Sequence, residues 1–369
     1  MAGDLALRER LLAVIGAGSP LADDEFDALA RDGFRHQYER NAPYRAFCDR
    51  RGVAPADVQH WLEVPAVPTD AFKAAPLVCG PPEEAEAVFV TSGTTAGARR
   101  RGRHYFPELA LYDAALLESF RAHLLPDRGR MRLLSLVVAP DEAPHSSLSH
   151  MAGELMRVCG AEHSDFFFGP EGLDAERLGS ALERAVAEHE PVCLLGTSFA
   201  FVYLLDALHE SGRAYRLPAG SRLMDTGGFK GRTREVERGE LYRHLQDALG
   251  IEQAACINEY GMTEMSSQFY DGVAGWAPPV AERRHVGPPW VRTVAVDPET
   301  LRPLPPGEPG VLRHCDLANL HSVMALQTAD LGVVDGAGFR VLGRGRAAEA
   351  RGCSLAVEEL LQALTQRTA

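Results

Sequence analysis

The chain has 369 residues, of which 46% are hydrophobic and 24% are charged, and its formal net charge at pH 7 is −13. This length suits one large domain, or one large and one small domain, and the composition is ordinary for a globular protein. The acidic balance argues against nucleic acid and anionic membranes as partners.

The N-terminus and the cysteines indicate a cytoplasmic protein. The first ten residues carry charges where a signal peptide needs an apolar core, and no apolar run is long enough to span a bilayer. The seven cysteines are scattered without a paired C-x-x-C spacing, which suits a reducing compartment and argues against a zinc site or a disulfide framework. We therefore expect no membrane partner, and no metal other than one bound together with a nucleotide.

The first three quarters of the chain predict an α/β fold. Residues 5–60 are typical of short helices and loops, and a proline-rich passage follows. Strands are predicted at residues 88–90, 133–138, 192–195, 222–224 and 254–257. Helices are predicted at residues 109–120, with Pro107 in the first turn, and at residues 173–188, 199–208 and 235–249. This alternation predicts a mostly parallel sheet covered by helices on both faces, whose ligands bind at the carboxyl ends of the strands.

The chain changes character after about Trp276. Residues 291–296 and 311–314 are typical of antiparallel strands around a turn rich in proline and glycine, and a hairpin is predicted around residues 335–338. A final helix is predicted at residues 357–364. This part of the chain is therefore expected to be rich in β-structure.

A loop of hydroxyls and glycines follows the apolar run at residues 88–90. It consists of Thr91, Ser92, Gly93, Thr94 and Thr95. Small residues let backbone N–H groups approach an anion, and hydroxyls add donors, so the pattern favours a phosphate cradle. It is not a Walker loop, because no Gly-Lys-Ser/Thr follows. A plain surface loop is the alternative interpretation.

A second motif places an aromatic ring, a glycine, a hydroxyl and a carboxylate within five residues. It runs from Tyr260 and Gly261 to Thr263 and Glu264, directly after a predicted strand. The ring can stack on a base, and the carboxylate can hold Mg²⁺. Taken alone, the segment could equally be a strand end followed by a turn.

Two further segments carry a charged side chain beside glycine. Asp330, followed by Leu331 and Gly332, could accept hydrogen bonds from a ribose diol. Arg344, between Gly343 and Gly345, could bind phosphate through its guanidinium fork. The alternatives are an ordinary turn for the aspartate and a solvated side chain for the arginine.

In this order the four segments resemble the motifs of the ANL superfamily of adenylate-forming enzymes, which includes acyl-CoA synthetases, firefly luciferase and peptide-synthetase adenylation domains. The resemblance implies a large domain of mixed, mostly parallel sheets with flanking helices and a β-rich C-terminal part, and it implies ATP and Mg²⁺ as cofactors. It assigns Mg²⁺ to Glu264 and a catalytic role to Glu264 and Thr94. The residues it assigns to the nucleotide are Thr91, Ser92, Gly93, Thr94, Thr95, Gly227, Gly228, Tyr260, Gly261, Thr263, Asp330 and Arg344.

Within that superfamily the chain most resembles the LuxE-type acyl-protein synthetases. The segments that carry this likeness are Pro68-Thr69-Asp70-Ala71-Phe72-Lys73, Pro144-His145-Ser146-Ser147-Leu148 and Gly227-Gly228-Phe229-Lys230. The same branch includes the EhpF-type proteins of phenazine antibiotic biosynthesis, which are of similar size. The resemblance implies activation of a carboxylic acid, fatty or aromatic, as an acyl-adenylate with release of pyrophosphate. The acyl group would then pass to a protein thiol or to a partner such as a reductase.

The chain departs from the wider superfamily after the Gly-Arg segment. ANL enzymes normally continue into a small mobile domain that supplies a catalytic lysine, and here few residues follow. We therefore expect an adenylate-forming domain over residues 1–342, with a β-rich part from about residue 277, and a truncated remnant over residues 343–369. Binding of coenzyme A is left open.

Two side chains could supply the missing chemistry. Lys230 follows a phenylalanine in a LuxE-like context and could contact the carboxylate or the α-phosphate, although a plain surface lysine is the alternative. Cys353 could receive the acyl group as a thiolate beside Arg351, as the C-terminal cysteine of LuxE-type enzymes does. The alternative for Cys353 is an inert cysteine at the start of the last helix.

The acid itself is expected near the serines and histidine at positions 146, 147 and 150 and near the junction at residues 196–199. The predicted pocket residues are Ser146, Ser147, His150, Thr197 and Phe199. A non-catalytic protein of the same fold, binding ATP or AMP without turnover, is the main alternative function. A dinucleotide-binding oxidoreductase is excluded, because no G-x-G-x-x-G follows the first strand with an acidic residue at the right distance.

Overall fold

The computed structural model describes residues 2–91, 101–227, 236–336, 338–344 and 362. The chain divides into two compact units. Unit 1 comprises Met1–Glu118, Met262–Gln268 and Gly287–Ala369, and unit 2 comprises Ser119–Gly261 and Phe269–Val286. Both units are therefore built from segments that are separated in sequence.

Unit 1 begins with three helices. They are α1 (Ala2–Ala17), α2 (Asp23–Arg40) and α3 (Ala42–Arg50). Asn41 separates α2 from α3, and its side-chain oxygen accepts from the N–H of Tyr44 at 3.1 Å, which caps α3. The face of α2 that includes Phe26, Leu29 and Phe34 is fully buried. These helices belong to the region predicted to hold short helices, and the prediction is confirmed.

A mixed five-stranded sheet forms the β-rich part of unit 1. β1 pairs parallel to β13, whereas β11, β12, β13 and β14 pair antiparallel in sequence order. The predicted antiparallel strands and the hairpin are thus confirmed. The strands are β1 (Val67–Pro68), β11 (Val291–Val296), β12 (Pro309–Asp316), β13 (Ala325–Asp335) and β14 (Gly338–Arg344).

The first strand predicted for the parallel sheet lies elsewhere. β2 (Ala87–Val90) pairs antiparallel with β3 (Arg103–Phe106) in a separate two-stranded hairpin of unit 1. Its extended conformation was predicted correctly, but its partner was not, because an apolar run does not specify the strand it pairs with. Pro107 lies outside the following helix α4 (Ala110–Leu124), which contains the boundary between the units.

Unit 2 is built on a seven-stranded sheet in the order β10-β9-β8-β7-β4-β5-β6. The five inner strands run parallel, and β10 and β6 pair antiparallel at the two edges. β8 is buried along its whole length, as expected of a parallel strand covered on both faces. The strands are β4 (Arg132–Val138), β5 (Asp165–Gly169), β6 (Gly172–Leu173), β7 (Val192–Thr197), β8 (Arg222–Thr226), β9 (Cys256–Tyr260) and β10 (Phe269–Tyr270).

Four helices accompany this sheet. Leucines of three of them, including Leu182, Leu204 and Leu245, pack with Leu134 of β4 in one apolar core. The predicted α/β architecture is confirmed, and Gly250 ends the last helix in the left-handed conformation at φ 75°. The helices are α5 (Ser147–Cys159), α6 (Ala175–Ala187), α7 (Ser198–Ser211) and α8 (Arg238–Leu249).

No helix among the described residues is both long and apolar enough to cross a membrane. The helix predicted at residues 357–364 lies outside the described residues, apart from Gln362.

Candidate functional site

The hydroxyl-rich loop begins at Thr91, directly after β2 in the β2–β3 hairpin of unit 1. Thr91 N–H donates to the Gly102 carbonyl at 3.0 Å, and Gly102 N–H donates to Thr91 Oγ1 at 2.9 Å. A Cβ at Gly102 would lie 3.1 Å from Thr91 Cγ2, so this close pairing favours glycine. The hairpin therefore fixes both ends of the loop. Ser92, Gly93, Thr94 and Thr95 lie outside the described residues.

The Tyr-Gly-x-Thr-Glu motif is divided between the units. Tyr260 ends β9 and Gly261 follows it in unit 2, whereas Thr263 and Glu264 belong to unit 1. Within unit 1, His104 Nδ1 lies 2.8 Å from the Thr263 carbonyl, and a carbonyl can only accept, so the imidazole donates. His104 is on β3, two residues after Gly102. The structure thus brings β3, at the base of the hydroxyl-rich loop, into contact with the backbone of the residue before Glu264.

Glu264 fits a magnesium ligand. Desolvation raises the pKa of its carboxyl group to about 7, opposed by the positive charges of Lys73 and Arg344. Among the described residues, no cationic side chain reaches within 4 Å of this carboxylate. Mg²⁺ is commonly held by one or two carboxylates together with substrate phosphates, and within the described ranges no cluster of three metal-ligating side chains occurs. Glu264 would therefore supply one carboxylate to a nucleotide-bound Mg²⁺.

Asp330 and Arg344 face each other across β13 and β14. Arg344 Nε lies 3.3 Å from Asp330 Oδ1, and the arginine side chain is 73% exposed. An ion pair this exposed contributes little free energy, so a ligand can replace it at small cost. The structure brings these two predicted nucleotide residues together.

In unit 2, the predicted residues lie at the carboxyl ends of neighbouring parallel strands. Thr197 ends β7, Gly227 follows β8, and Tyr260 ends β9. Gly227 has φ 69°, in the left-handed region that favours glycine. The half-buried ring of Tyr260 has its centroid 5.8 Å from that of Phe269. Gly228 lies outside the described residues.

A fully buried aspartate lies behind these strand ends. Asp225 Oδ1 accepts from Ser198 Oγ at 2.7 Å, and Asp225 Oδ2 accepts from Tyr242 Oη at 3.2 Å and Asn258 Nδ2 at 3.0 Å. Asn258 Oδ1 also lies 2.8 Å from His285 Nε2. Desolvation raises the pKa of Asp225. These contacts connect α7, β8 and β9 at the edge where ligands of parallel sheets bind.

Glu259 is a second buried carboxyl at this edge. It accepts a hydrogen bond from Thr226 Oγ1, and desolvation raises its pKa to about 7. The side chain is 5% exposed. Glu259 is thus near its midpoint of titration at neutral pH, which sequence reasoning did not foresee.

The predicted acid-pocket residues lie at the starts of two helices of unit 2. Ser146 Oγ accepts from Ser149 N–H at 3.2 Å and caps α5, whereas Thr197 Oγ1 accepts from Ala200 N–H at 3.3 Å and caps α7. Both helices follow adjacent parallel strands, β4 and β7, so both caps lie at the same edge of the sheet. Ser147 and His150 occupy the first turn of α5.

Two half-exposed aromatic rings, those of Phe168 and Tyr203, lie beside the ring of Phe199. Its ring centroid lies 6.1 Å from that of Phe168 and 6.3 Å from that of Tyr203, both edge to face. Sequence reasoning selected Phe199 but missed Phe168 and Tyr203. The spacing of Tyr203, four residues after Phe199 on α7, is the signal that could have identified it.

Two predicted catalytic residues, Lys230 and Cys353, lie outside the described residues. Sequence reasoning also missed His104, Asp316 and Asn319 of unit 1, which hold the segment around Glu264. No local motif marks these residues, because each acts on a part of the chain that is distant in sequence.

The chain is similar in sequence to known proteins. The family model described as "Acyl-protein synthetase, LuxE" matches residues 147–362. The "Long-chain-fatty-acid--luciferin-component ligase" of Vibrio harveyi is 23% identical over 346 residues, covering 91% of this chain and 88% of that protein. The ligase of the same name from Aliivibrio fischeri is 25% identical over 351 residues, with the same coverage.

Solved structures share the fold. A 2-hydroxyisobutyryl-CoA ligase in an open conformation, in complex with 2-HIB-AMP and CoA, aligns with a TM-score of 0.63 and 17% identity over 89% of this chain and 76% of that one. The ATP-bound RpMatB-BxBclM chimera B3 aligns with a TM-score of 0.51 and 18% identity over 73% of this chain and 50% of the chimera. These similarities establish the architecture of adenylate-forming ligases.

Proposed function

The chain belongs to the LuxE family of acyl-protein synthetases, and from this membership we propose which of its residues carry the reaction. It is a ligase that activates a carboxylic acid as an acyl-adenylate and then transfers the acyl group. A carboxylate oxygen attacks the α-phosphorus of ATP, a P–O bond forms, and pyrophosphate leaves. An acceptor then attacks the acyl carbon and releases AMP.

The observation that carries the proposed site is the link between His104 and Thr263. It supports an arrangement in which the hydroxyl-rich loop binds the phosphates while Glu264 holds the magnesium ion beside them. When bound, Mg²⁺ supplies positive charge against the developing charge on the phosphates. Thr94 donates to the phosphate oxygens in the same loop, together with its neighbours Thr91, Ser92, Gly93 and Thr95.

The remaining nucleotide roles follow the motif positions. Tyr260 stacks on the adenine, and the small residues Gly227, Gly228 and Gly261 let the backbone approach it. Asp330 binds the ribose hydroxyls after its weak pair with Arg344 is exchanged, and Arg344 then contacts ribose or phosphate. Thr263 contributes through its place next to Glu264.

The experiment that tests this proposal is ATP–pyrophosphate exchange with a panel of acids. We expect exchange in the wild type and a loss of at least a hundredfold in Glu264→Gln and Asp330→Asn. Binding of ATP without exchange for any acid would favour the non-catalytic alternative. Binding of neither ATP nor AMP would contradict the proposal.

The cation that assists adenylation is proposed to be Lys230. The alternative cation is Lys73, whose positive charge lowers the pKa of Glu264. Lys73 Nζ already forms an ion pair with Asp70 Oδ1 at 2.6 Å. Lys230→Ala should abolish pyrophosphate release, whereas Lys73→Ala should reduce it less. The reverse order would assign the role to Lys73.

Cys353 is proposed as the acyl acceptor. Its thiolate would attack the mixed anhydride, forming a thioester while AMP leaves. Incubation with labelled acid and ATP, followed by peptide mapping, should place the label on Cys353, and Cys353→Ser should remove it. A label that persists in the variant would identify another acceptor, and a label that appears only when a partner protein is added would favour transfer to that partner.

The acid is proposed to be hydrophobic. The two curated relatives are named as ligases of long-chain fatty acids, which supports a fatty substrate. The rings of Phe168, Phe199 and Tyr203 beside the predicted pocket also suit a flat aromatic acid such as a phenazine carboxylate. Exchange assays with saturated fatty acids and aromatic acids decide between the two classes. We expect the reaction in the cytoplasm, where ATP is supplied.

A further inference from the structure

Side chains from other parts of unit 1 hold the segment that carries Glu264 through hydrogen bonds. Met262–Gln268 belongs to unit 1, although the residues on both sides belong to unit 2. It contains neither helix nor strand, and the N–H of Met265 bonds the carbonyl of Met262 at 3.1 Å in a single turn. An irregular segment depends on external partners to satisfy its backbone groups.

Asp316, at the end of β12, supplies the first of these partners. Its Oδ2 accepts from Ser266 N–H at 3.0 Å and from Ser267 N–H at 2.9 Å. Its Oδ1 accepts from Ser267 Oγ at 2.7 Å. The carboxylate is fully buried, so the hydrogen bonds that it accepts are strong, and losing one of them lowers the stability of the fold.

Asn319 supplies the second. Its Nδ2 donates to the Glu264 carbonyl at 3.0 Å and to the Val323 carbonyl at 2.8 Å. Its Oδ1 accepts from Ser266 Oγ at 3.0 Å. The amide therefore fixes the backbone of the metal-binding residue itself.

His104 supplies the third of these partners. Its imidazole is 1% exposed and packs edge to face against Phe72, with the ring centroids 5.4 Å apart. Nδ1–H donates to the Thr263 carbonyl, one residue before Glu264. His104 lies opposite Phe89 in the β2–β3 hairpin, which forms the base of the hydroxyl-rich loop. Its hydrogen bond therefore links this hairpin to the backbone next to Glu264.

We propose that His104 is a positioning residue that, with Asp316 and Asn319, fixes the backbone around Glu264 and so holds its carboxylate in position to bind Mg²⁺. This inference rests on the proposed function, because it takes Glu264 as the magnesium ligand. It assigns no direct contact between His104 and the substrate. The hydrogen bond acts by restricting the backbone that carries the proposed magnesium ligand.

The test compares His104→Phe with two reference variants. Phenylalanine keeps an aromatic ring in the packing but removes the donor, whereas His104→Asn keeps an N–H near the position of Nδ1. His123→Phe removes an equivalent buried bond, in which His123 Nδ1 lies 2.7 Å from the Gly272 carbonyl in unit 2. His123 therefore controls for the general loss of a buried histidine.

The readout is metal binding rather than turnover. Mn²⁺ serves as a paramagnetic probe, and its binding in the presence of ATP is followed by electron paramagnetic resonance, while AMP binding without metal is followed by calorimetry. We expect His104→Phe to raise the Mn²⁺ concentration at half-saturation about tenfold, as for one lost hydrogen bond, with the affinity for AMP unchanged within a factor of two. His104→Asn should recover most of the loss, and His123→Phe should not change the Mn²⁺ requirement.

Equal half-saturation in His104→Phe and the wild type, or an equal shift in His123→Phe, would overturn the inference while leaving the proposed function intact. A wild type that binds no Mn²⁺ with ATP would overturn the proposed function and this inference together. If His104→Phe does not fold, Asn319→Leu replaces it, because that change removes the bond to the Glu264 carbonyl. The same tenfold shift is then expected, and its absence would overturn the inference.

Discussion

Each unit contains a fully buried aspartate that accepts several hydrogen bonds, but the two receive them from different donors. Asp316 of unit 1 accepts chiefly from backbone N–H groups, which belong to Ser266, Ser267 and Ala318. Asp225 of unit 2 accepts from side chains, which belong to Ser198, Tyr242 and Asn258. Desolvation raises the pKa of both carboxyl groups, that of Asp316 to about 6.

The difference teaches how a buried charge can serve two purposes. Backbone N–H groups have fixed directions, so Asp316 determines the course of an irregular segment. Hydroxyl and amide side chains can rotate, so Asp225 joins regular elements whose backbones already have partners. Asp316 therefore determines the backbone course of a loop, whereas Asp225 connects β8 to α7, α8 and β9.

Isosteric substitution at the two aspartates should give the largest contrast. In Asp316→Asn one oxygen becomes an NH₂ group that faces N–H donors, and we expect the free energy of unfolding to fall by about 3 kcal/mol. Asp225→Asn should lose only about 1 kcal/mol, because Ser198 and Tyr242 can turn their hydroxyl groups to accept. Urea unfolding of both variants at pH 7 measures the difference. Equal losses would break the comparison.

A pH series on Glu259 sharpens it in unit 2. The folded pKa of about 7 lies above the unfolded value, so the folded state holds the proton more tightly. The stabilisation that this carboxyl contributes is fully present below about pH 4.5 and is lost as the pH rises through 7. Between pH 5 and pH 8 the free energy of unfolding of Glu259→Gln should therefore rise by about 2 kcal/mol relative to that of the wild type. Urea midpoints at the two pH values measure this gain, and a constant difference would contradict it.

His314 provides the opposite test in unit 1. This fully buried imidazole contacts Thr293 Oγ1 at 2.9 Å, and desolvation lowers its pKa to about 3. The unfolded state then binds more protons between about pH 6.5 and pH 3, so stability is present above 6.5 and lost as the pH falls. When the pH falls from 8 to 5, the free energy of unfolding of His314→Gln should decrease by about 2 kcal/mol less than that of the wild type. Parallel pH dependence of the two proteins would exclude this contribution.

The smallest expected effect separates a helix cap from a pocket residue. Ser146→Ala should lower the free energy of unfolding by about 1 kcal/mol and raise the KM for the acid severalfold. Asp174→Ala removes the cap of α6, whose carboxylate accepts from Arg177 N–H at 3.0 Å, and should cost similar stability without changing KM. An unchanged KM in Ser146→Ala would reduce Ser146 to a cap.

Much of the fold could be predicted from local pattern. β4, β7 and β8 are short apolar runs between helical patterns, and the glycine at position 250 marks the end of α8. α5 was not predicted as a helix, although Met151, Leu155 and Cys159 recur at four-residue spacing. β5 was also missed, because its three consecutive phenylalanines do not alternate with polar residues.

The site divides in the same way. Thr91, Glu264, Asp330 and Arg344 could be selected because each lies in a short motif, and unit 1 brings the last two into contact. His104 and Asp316 could not be selected, because their partners lie far away along the chain and no spacing rule links them. The partner strand of β2 was not predicted either, because an apolar run does not specify the strand it pairs with.

The discontinuity of unit 1 bears on the order in which the molecule acquires its structure during synthesis. Val67 pairs with Leu326, so the five-stranded sheet cannot close until the ribosome has synthesised residue 326. Unit 2 ends at Val286 and has its full set of strands well before that moment. Since long-range pairing is slow and early segments wait for late ones, unit 2 should form first during translation, while the helices at the N-terminus wait exposed for their sheet.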